Sequence, residues 1–179
     1  MKITAGHKGR EDRIVAVMRD AFAASEGPDA GALIAGLATG VLTDTSEADL
    51  RAFCAEDEGE IIGAGLFTRL DYANDPRHVM LLSPMAVATD RQRQGIGQAL
   101  LTHALAALRE EGVDIAITYG DPAYYGQVGF HPITEAEARA PLPLSMPHGW
   151  IGQTLSGDPF PNLKGPSTCA TALNRADIW

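Results

Sequence analysis

Residues Arg91-Gln92-Arg93-Gln94-Gly95-Ile96-Gly97 decide how this chain is read. An apolar run, Val79 to Val87, precedes them. Leu100, Leu101, Ala104, Leu105 and Leu108 come after at the spacing of one helix face. The order is strand, basic turn with two glycines, helix N-terminus. Such a turn leaves backbone N–H groups unpaired and presents the positive end of the helix dipole, where phosphate binds readily. The glycines permit positive φ and a close approach of ligand to backbone, and Arg91 and Arg93 add charge. A phosphate or pyrophosphate cradle is the first expectation. A tight connection without ligand is the alternative that the turn alone leaves open.

Two nucleotide sites are excluded by the residues after the turn. A Walker loop requires Gly-Lys-Ser/Thr, and Gly97 is succeeded by Gln98-Ala99. A dinucleotide fingerprint requires a third glycine where Leu100 stands. Upstream, Lys2 to Ala5 reads as a short strand, Glu11 to Ala24 as a helix, and Pro28 opens a second helix that stops near Gly40. Leu50 to Glu56 and Ile61 to Leu70 read as strands joined by a hairpin turn, and Asp71 to Arg77 as a loop. Pro84 lies inside the third strand. Proline cannot donate to a ladder, so a bulge is expected there, an edge strand being the alternative.

Downstream, the helix ends near Gly112 and a buried-type strand runs from Val113 to Tyr119. Asp121-Pro122 then makes a good N-cap and first helical residue for a short helix, Ala123 to Gln127. Gly149 to Leu155 and Ser167 to Leu173 read as two more strands, and Asn174 to Trp179 has no assignment. The result is a mixed α/β chain, residues 1–179, expected to form one domain around one sheet, without strict βαβ alternation.

The 23 acidic residues against 14 basic ones give a net charge of −9. That excludes a general nucleic-acid binder, which needs a basic face. Cys54 and Cys169 have neither a Cys-x-x-Cys spacing nor a companion histidine, so buried free thiols are expected and no metal site. Met1-Lys2-Ile3-Thr4 shows no signal-peptide core, and no apolar run approaches the ~20 residues that span a bilayer. A cytoplasmic protein without membrane contact is the expectation.

Leu82-Ser83-Pro84-Met85-Ala86-Val87, then Arg91 to Gly97, then Ala99-Leu100-Leu101 resembles the central motif of the GCN5-related N-acetyltransferase (GNAT) family. That pattern is Gln/Arg-x-x-Gly-x-Gly/Ala, matched by Gln92, Gly95 and Gly97. Tyr124-Tyr125-Gly126-Gln127-Val128-Gly129-Phe130 is similar to the family's second block, and the Gly-Asp-Pro-x-Tyr-Tyr variant resembles a bacterial subgroup of predicted acetyltransferases. The likeness is strong over about residues 80–132 and faint beyond 140. It implies an acyl-CoA N-acyltransferase fold: a central, mostly antiparallel sheet with a bulged, splayed strand pair and flanking helices. The cofactor-binding core would lie at about 79–132 and the C-terminal strands within 149–173.

The resemblance implies acetyl-CoA as cofactor. Met85, Ala86 and Val87 would pair with its pantetheine arm; Gln92, Arg93, Gln94, Gly95, Ile96, Gly97 and Gln98 would hold its pyrophosphate. The reaction would be acetyl transfer to a primary amine of a small molecule or peptide. Tyr125 matches the family's proton donor to the departing thiolate, and Tyr124 reads as packing. Many relatives carry a glutamate base on the bulged strand, where this chain has Ser83, able only to position a water. Glu26, His78 and His131 remain open as bases. Two other readings also stay open: an acyl-CoA sensor without turnover, and transfer to a hydroxyl or of a longer acyl group. A homodimer through the C-terminal strands is compatible with such a fold.

Overall fold

A computed structural model describes residues 1–179. Its main sheet has seven strands in the order β1 (Lys2–Ala5), β2 (Leu50–Asp57), β3 (Glu60–Arg69), β5 (Val79–Val87), β6 (Ile115–Tyr119), β8 (Trp150–Thr154) and β7 (His131–Pro132). All neighbours run antiparallel except β5 and β6. Helices α1 (Glu11–Glu26) and α2 (Pro28–Asp44) cover one face, and α3 (Ile96–Glu110) covers the other.

Alternation along the strands splits the core accordingly. Leu66, Leu70 and Leu81 join Ile14, Met18 and Val41 beneath the first two helices, while Phe67, Leu82 and Ala116 join Leu100, Leu101 and Leu108 beneath α3. Arg10 fastens the start of α1 to the sheet: its Nη1 donates to Thr4 Oγ1 and Glu56 Oε1, each at 2.6 Å.

The sheet is irregular where the proline predicts it. Gly65 pairs with Met85 but Phe67 with Leu82, so β5 has one residue more than β3 across Ser83-Pro84. That surplus residue is a bulge on a central strand, which removes the edge-strand alternative. On its other side β5 pairs with β6 only from Val79–Ile115 to Leu82–Thr118. The Thr118 hydroxyl donates to the Leu82 carbonyl at 2.9 Å where the pairing ends. Beyond it, β6 continues alongside β8, with Tyr119 opposite Trp150, and β5 diverges.

Several boundaries differ from those expected from the sequence. α2 runs past Gly40 to Asp44, because Gly40 is where Ala172 packs on the helix; a Cβ there would lie 3.0 Å from the Ala172 Cβ. Of the C-terminal strands expected within 149–173, only β8 belongs to the main sheet. Ser167–Thr168 forms a two-residue strand, β9, paired with β4 (Asp71–Tyr72) inside the expected loop. With no further partner to bond, the rest of that stretch turns into a 3₁₀ segment, Thr171–Leu173. The unassigned tail ends in a buried Trp179, stacked on Tyr119 with ring centroids 5.9 Å apart, its indole N–H donating to the Leu173 carbonyl at 2.8 Å. Cys54 is buried and Cys169 partly buried, both as free thiols. No helix is long and apolar enough to cross a membrane.

Candidate active site

The turn after β5 begins with a 3₁₀ segment, Thr89–Arg91, and enters α3 through Gly95, which caps the helix at φ 79°. Arg93 is also left-handed, at φ 60°. Left-handed residues alternating in this way gather successive N–H groups into a concavity. The N–H groups from Arg93 to Gln98 have no partner within the protein; the first bond of the helix is Ala99 N–H to the Gly95 carbonyl, at 3.0 Å. The positive end of the α3 dipole adds to them. Gln92 ties the turn to the strand by donating from Nε2 to the Val87 carbonyl at 3.0 Å. Arg91 is committed to Asp57 at 3.1 Å, whereas Arg93 is exposed and has no ionic partner.

Along β5 the Ala88 N–H is bonded to the Ile62 carbonyl of β3 at 2.8 Å. Strand alternation therefore turns the N–H groups of Met85 and Val87 to the opposite side, the gap left by β6. Tyr124 and Tyr125 reach that gap from α4 (Pro122–Tyr125). This short helix starts as its sequence predicts: Asp121 accepts the Ala123 N–H at 2.9 Å, and Pro122 occupies the first turn. Asp121→Ala removes that cap. It should cost about 1 kcal/mol in urea unfolding and, by loosening α4, lower turnover a few-fold.

Both tyrosines pack where a side chain is missing. A Cβ on Gly120 would stand 2.7 Å from Tyr125 Cε2, and one on Gly97 would overlap the Tyr124 hydroxyl and lie 3.3 Å from Met85 Cε. The Tyr125 ring sits edge-on to Tyr124 at 5.0 Å and to Phe130 at 5.8 Å. Burial pushes the Tyr125 hydroxyl well above the usual tyrosine range. Tyr124 raises it further, and the Thr118 hydroxyl offsets part of the shift. Burial raises Tyr124 as well. Both hydroxyls therefore keep their protons at neutral and moderately alkaline pH.

Two adjoining clefts that share lining residues form one groove across these parts. Its inner cleft, of about 240 Å³, is bounded by Phe22 and Glu26 of α1, by Met85 to Val87 of β5, and by both tyrosines. Its outer cleft, of about 400 Å³, is bounded by Arg93, Gly95, Gly97 and Gln98. Val87, Gln92 and Tyr124 line both. Since α1 covers one sheet face and α3 with α4 the other, the groove passes through the sheet where β5 and β6 separate.

The base residues left open by the sequence are dispersed. Ser83 is partly exposed on the bulge but does not line the inner cleft. His78 precedes the far end of β5, roughly 20 Å from Met85 at strand rise. There burial and Arg69 lower its pKa, and its backbone N–H donates to Asp114. His131 is on the short edge strand β7, its ring 5.9 Å from Phe160. Glu26 alone of the four borders the cleft. Tyr124, read from sequence as packing, lines both halves of the groove; the missing side chain at Gly97 was the sequence signal for it.

The family model of the acetyltransferase (GNAT) family matches residues 18–131. The uncharacterized N-acetyltransferase YjhQ of Escherichia coli K12 is 30% identical over 141 residues, spanning 76% of this chain and 77% of its own length. The uncharacterized N-acetyltransferase YhbS of the same organism is 31% identical over 88 residues, 49% of this chain and 53% of its own. Among solved structures, YhbS from Escherichia coli in complex with CoA matches with a TM-score of 0.82 at 24% identity, over 98% of this chain and 92% of that one. A GNAT family acetyltransferase from Brucella melitensis in complex with acetyl-CoA matches at 0.71 and 20% identity, over 97% of each. The structural likeness establishes the fold. With a family model spanning most of the chain, the sequence belongs to the acetyltransferase (GNAT) family.

Proposed function

We propose that this chain transfers an acetyl group from acetyl-CoA to a primary amine of a small molecule or peptide, residues 1–179 serving that single activity. One observation carries the reading: two adjoining clefts, sharing Val87, Gln92 and Tyr124, lead from a concavity of unpaired N–H groups, past a strand gap, to a half-buried tyrosine. A pyrophosphate fits the concavity because it needs several donors and positive potential, and both are present. A pantetheine arm fits the gap because it carries amides, and the N–H groups of Met85 and Val87 face it. When bound, acetyl-CoA supplies an acyl thioester. The Tyr124-Tyr125 block preceded by Gly-Asp-Pro supports placing the chain in the bacterial subgroup with that motif.

The residues divide the work. Arg93 to Gln98 hold the diphosphate by backbone N–H groups, and Gln92 keeps the turn against Val87. The N–H of Met85 or Val87 polarises the thioester carbonyl as a fixed donor aimed at developing negative charge. Tyr125 would give its proton to the departing sulfur, whose ordinary thiol pKa is about 8.5, and the proton lost by the nitrogen as the amide forms would restore the phenol. The acceptor amine, of pKa about 10.4 in a lysine-like group, sheds a proton before attack. Solvent water would take that proton, and Ser83, on the bulge but outside the cleft lining, would act only through such a water.

The test is acetyl-CoA consumption against a panel of amines, alcohols and lysine-containing peptides, with free thiol as readout. Turnover on an amine above the hydrolysis background is expected. Acetyl-CoA binding without turnover on any acceptor would replace this reading by the sensor, and turnover on alcohols alone would replace it by transfer to a hydroxyl.

A further inference from the structure

Resting on the acetyl-transfer reading, we infer that Glu26 is the acceptor-recognition residue and that the acceptor is a cationic amine on a short apolar stem. Glu26 closes the last turn of α1 and is the only acidic or basic residue bordering the inner cleft. Around it stand apolar residues, neutral polar groups (Ser25 and Gln92) and the two protonated tyrosines. Its exposed carboxylate makes no hydrogen bond and no ion pair within the chain.

Charge is separated along the groove. Arg93 and the N–H concavity make the outer end positive, and Glu26 makes the inner end negative. An anionic donor and a cationic acceptor therefore enter from opposite ends without competing. Phe22 and Ala21 offer an apolar wall beside the carboxylate for a stem of a few carbons, and the Phe22 ring can also face a cation. A cleft of about 240 Å³ admits a small amine or the end of a lysine side chain. An acceptor with a carboxylate beside its amine would be repelled by Glu26. The remainder of a longer acceptor would extend past the exposed Ser25.

The role assigned to Glu26 is capture of positive charge, which a neutral isostere abolishes without altering shape. Steady-state kinetics of the full chain and of Glu26→Gln, at saturating acetyl-CoA, would use n-butylamine, 1,4-diaminobutane and a lysine peptide as cationic acceptors. Aniline, uncharged at pH 7.5, serves as the neutral one. Glu26→Gln should raise KM about tenfold for the cationic acceptors, as loss of one charge-assisted contact does, with kcat within about threefold. Aniline kinetics, the acetyl-CoA-induced melting shift and the apo melting temperature should not change. Glu26→Asp should restore part of the cationic preference. Equal losses for aniline and the cations, no loss for either, or a wild-type preference for aniline would overturn the inference while acetyl transfer stands. Absence of wild-type turnover on every amine would bring down the acetyl-transfer reading and this inference with it.

Discussion

Tyr125→Phe should lower kcat by about 10²- to 10³-fold, the usual effect of losing a positioned general acid, and leave acetyl-CoA affinity within about threefold. The hydroxyl is the only group deleted. The ring keeps its packing against Phe130 and its place over Gly120. The size of the loss reflects where the hydroxyl sits: half-buried beside the strand gap, bordering the inner cleft. Its pH dependence is set by its titration. Burial holds the phenol protonated beyond the usual tyrosine range, so the wild type does not lose its donor as pH rises. The wild-type to Tyr125→Phe ratio of kcat should accordingly be the same at pH 7 and pH 9.5. A ratio that collapses toward one at pH 9.5 would mean that the group ionises in that window and that burial does not control it. A ratio near one throughout would remove Tyr125 from the chemistry.

Gly97→Ala should weaken acetyl-CoA binding by about 10²-fold, equivalent to roughly 3 kcal/mol, at the upper end of what an added methyl costs in a filled site. Gly97 lies in the first turn of α3 at ordinary helical φ, so alanine is conformationally acceptable and, by helix propensity, up to about 1 kcal/mol more favourable. Its Cβ would nevertheless fall on the Tyr124 hydroxyl and press on Met85. Tyr124 must swing away, disturbing one of the three residues shared by both halves of the groove. A stability loss in urea of no more than about 1 kcal/mol, well below the loss of cofactor affinity, is the expected result. A stability loss matching the affinity loss would indicate a folding defect instead.

How much was legible in the sequence depends on the range over which each feature is encoded. The cradle is written in consecutive residues, Arg91 to Gln98, because a helix N-terminus presents its N–H groups locally. The tyrosine helix was legible for the same reason: Asp121 caps it and Pro122 starts it within two positions. Pro84 located the bulge because a missing N–H has one consequence in a central strand. The inner cleft was legible only in part, Glu26 being one of several candidate bases. Glu26 and Met85 are far apart in the chain and meet only because α1 packs across β3 and β5, a product of sheet order. The two-residue strands β4 and β7 escaped, and β9 was expected longer than it is, since each exists through a distant partner and not through its own pattern. Trp179, alone at the end of a polar tail, is buried by Tyr119 and Trp150, which no local periodicity announces.

Calorimetric titration of acetyl-CoA into the purified protein, run in parallel on Gly97→Ala, tests most directly whether the turn from Arg91 to Gly97 is the diphosphate end of a coenzyme A site. The expected result is a saturable isotherm with one acetyl-CoA per chain for the wild type and about 10²-fold weaker binding for the variant. No saturable heat from the wild type, or the same isotherm from both proteins, would contradict it.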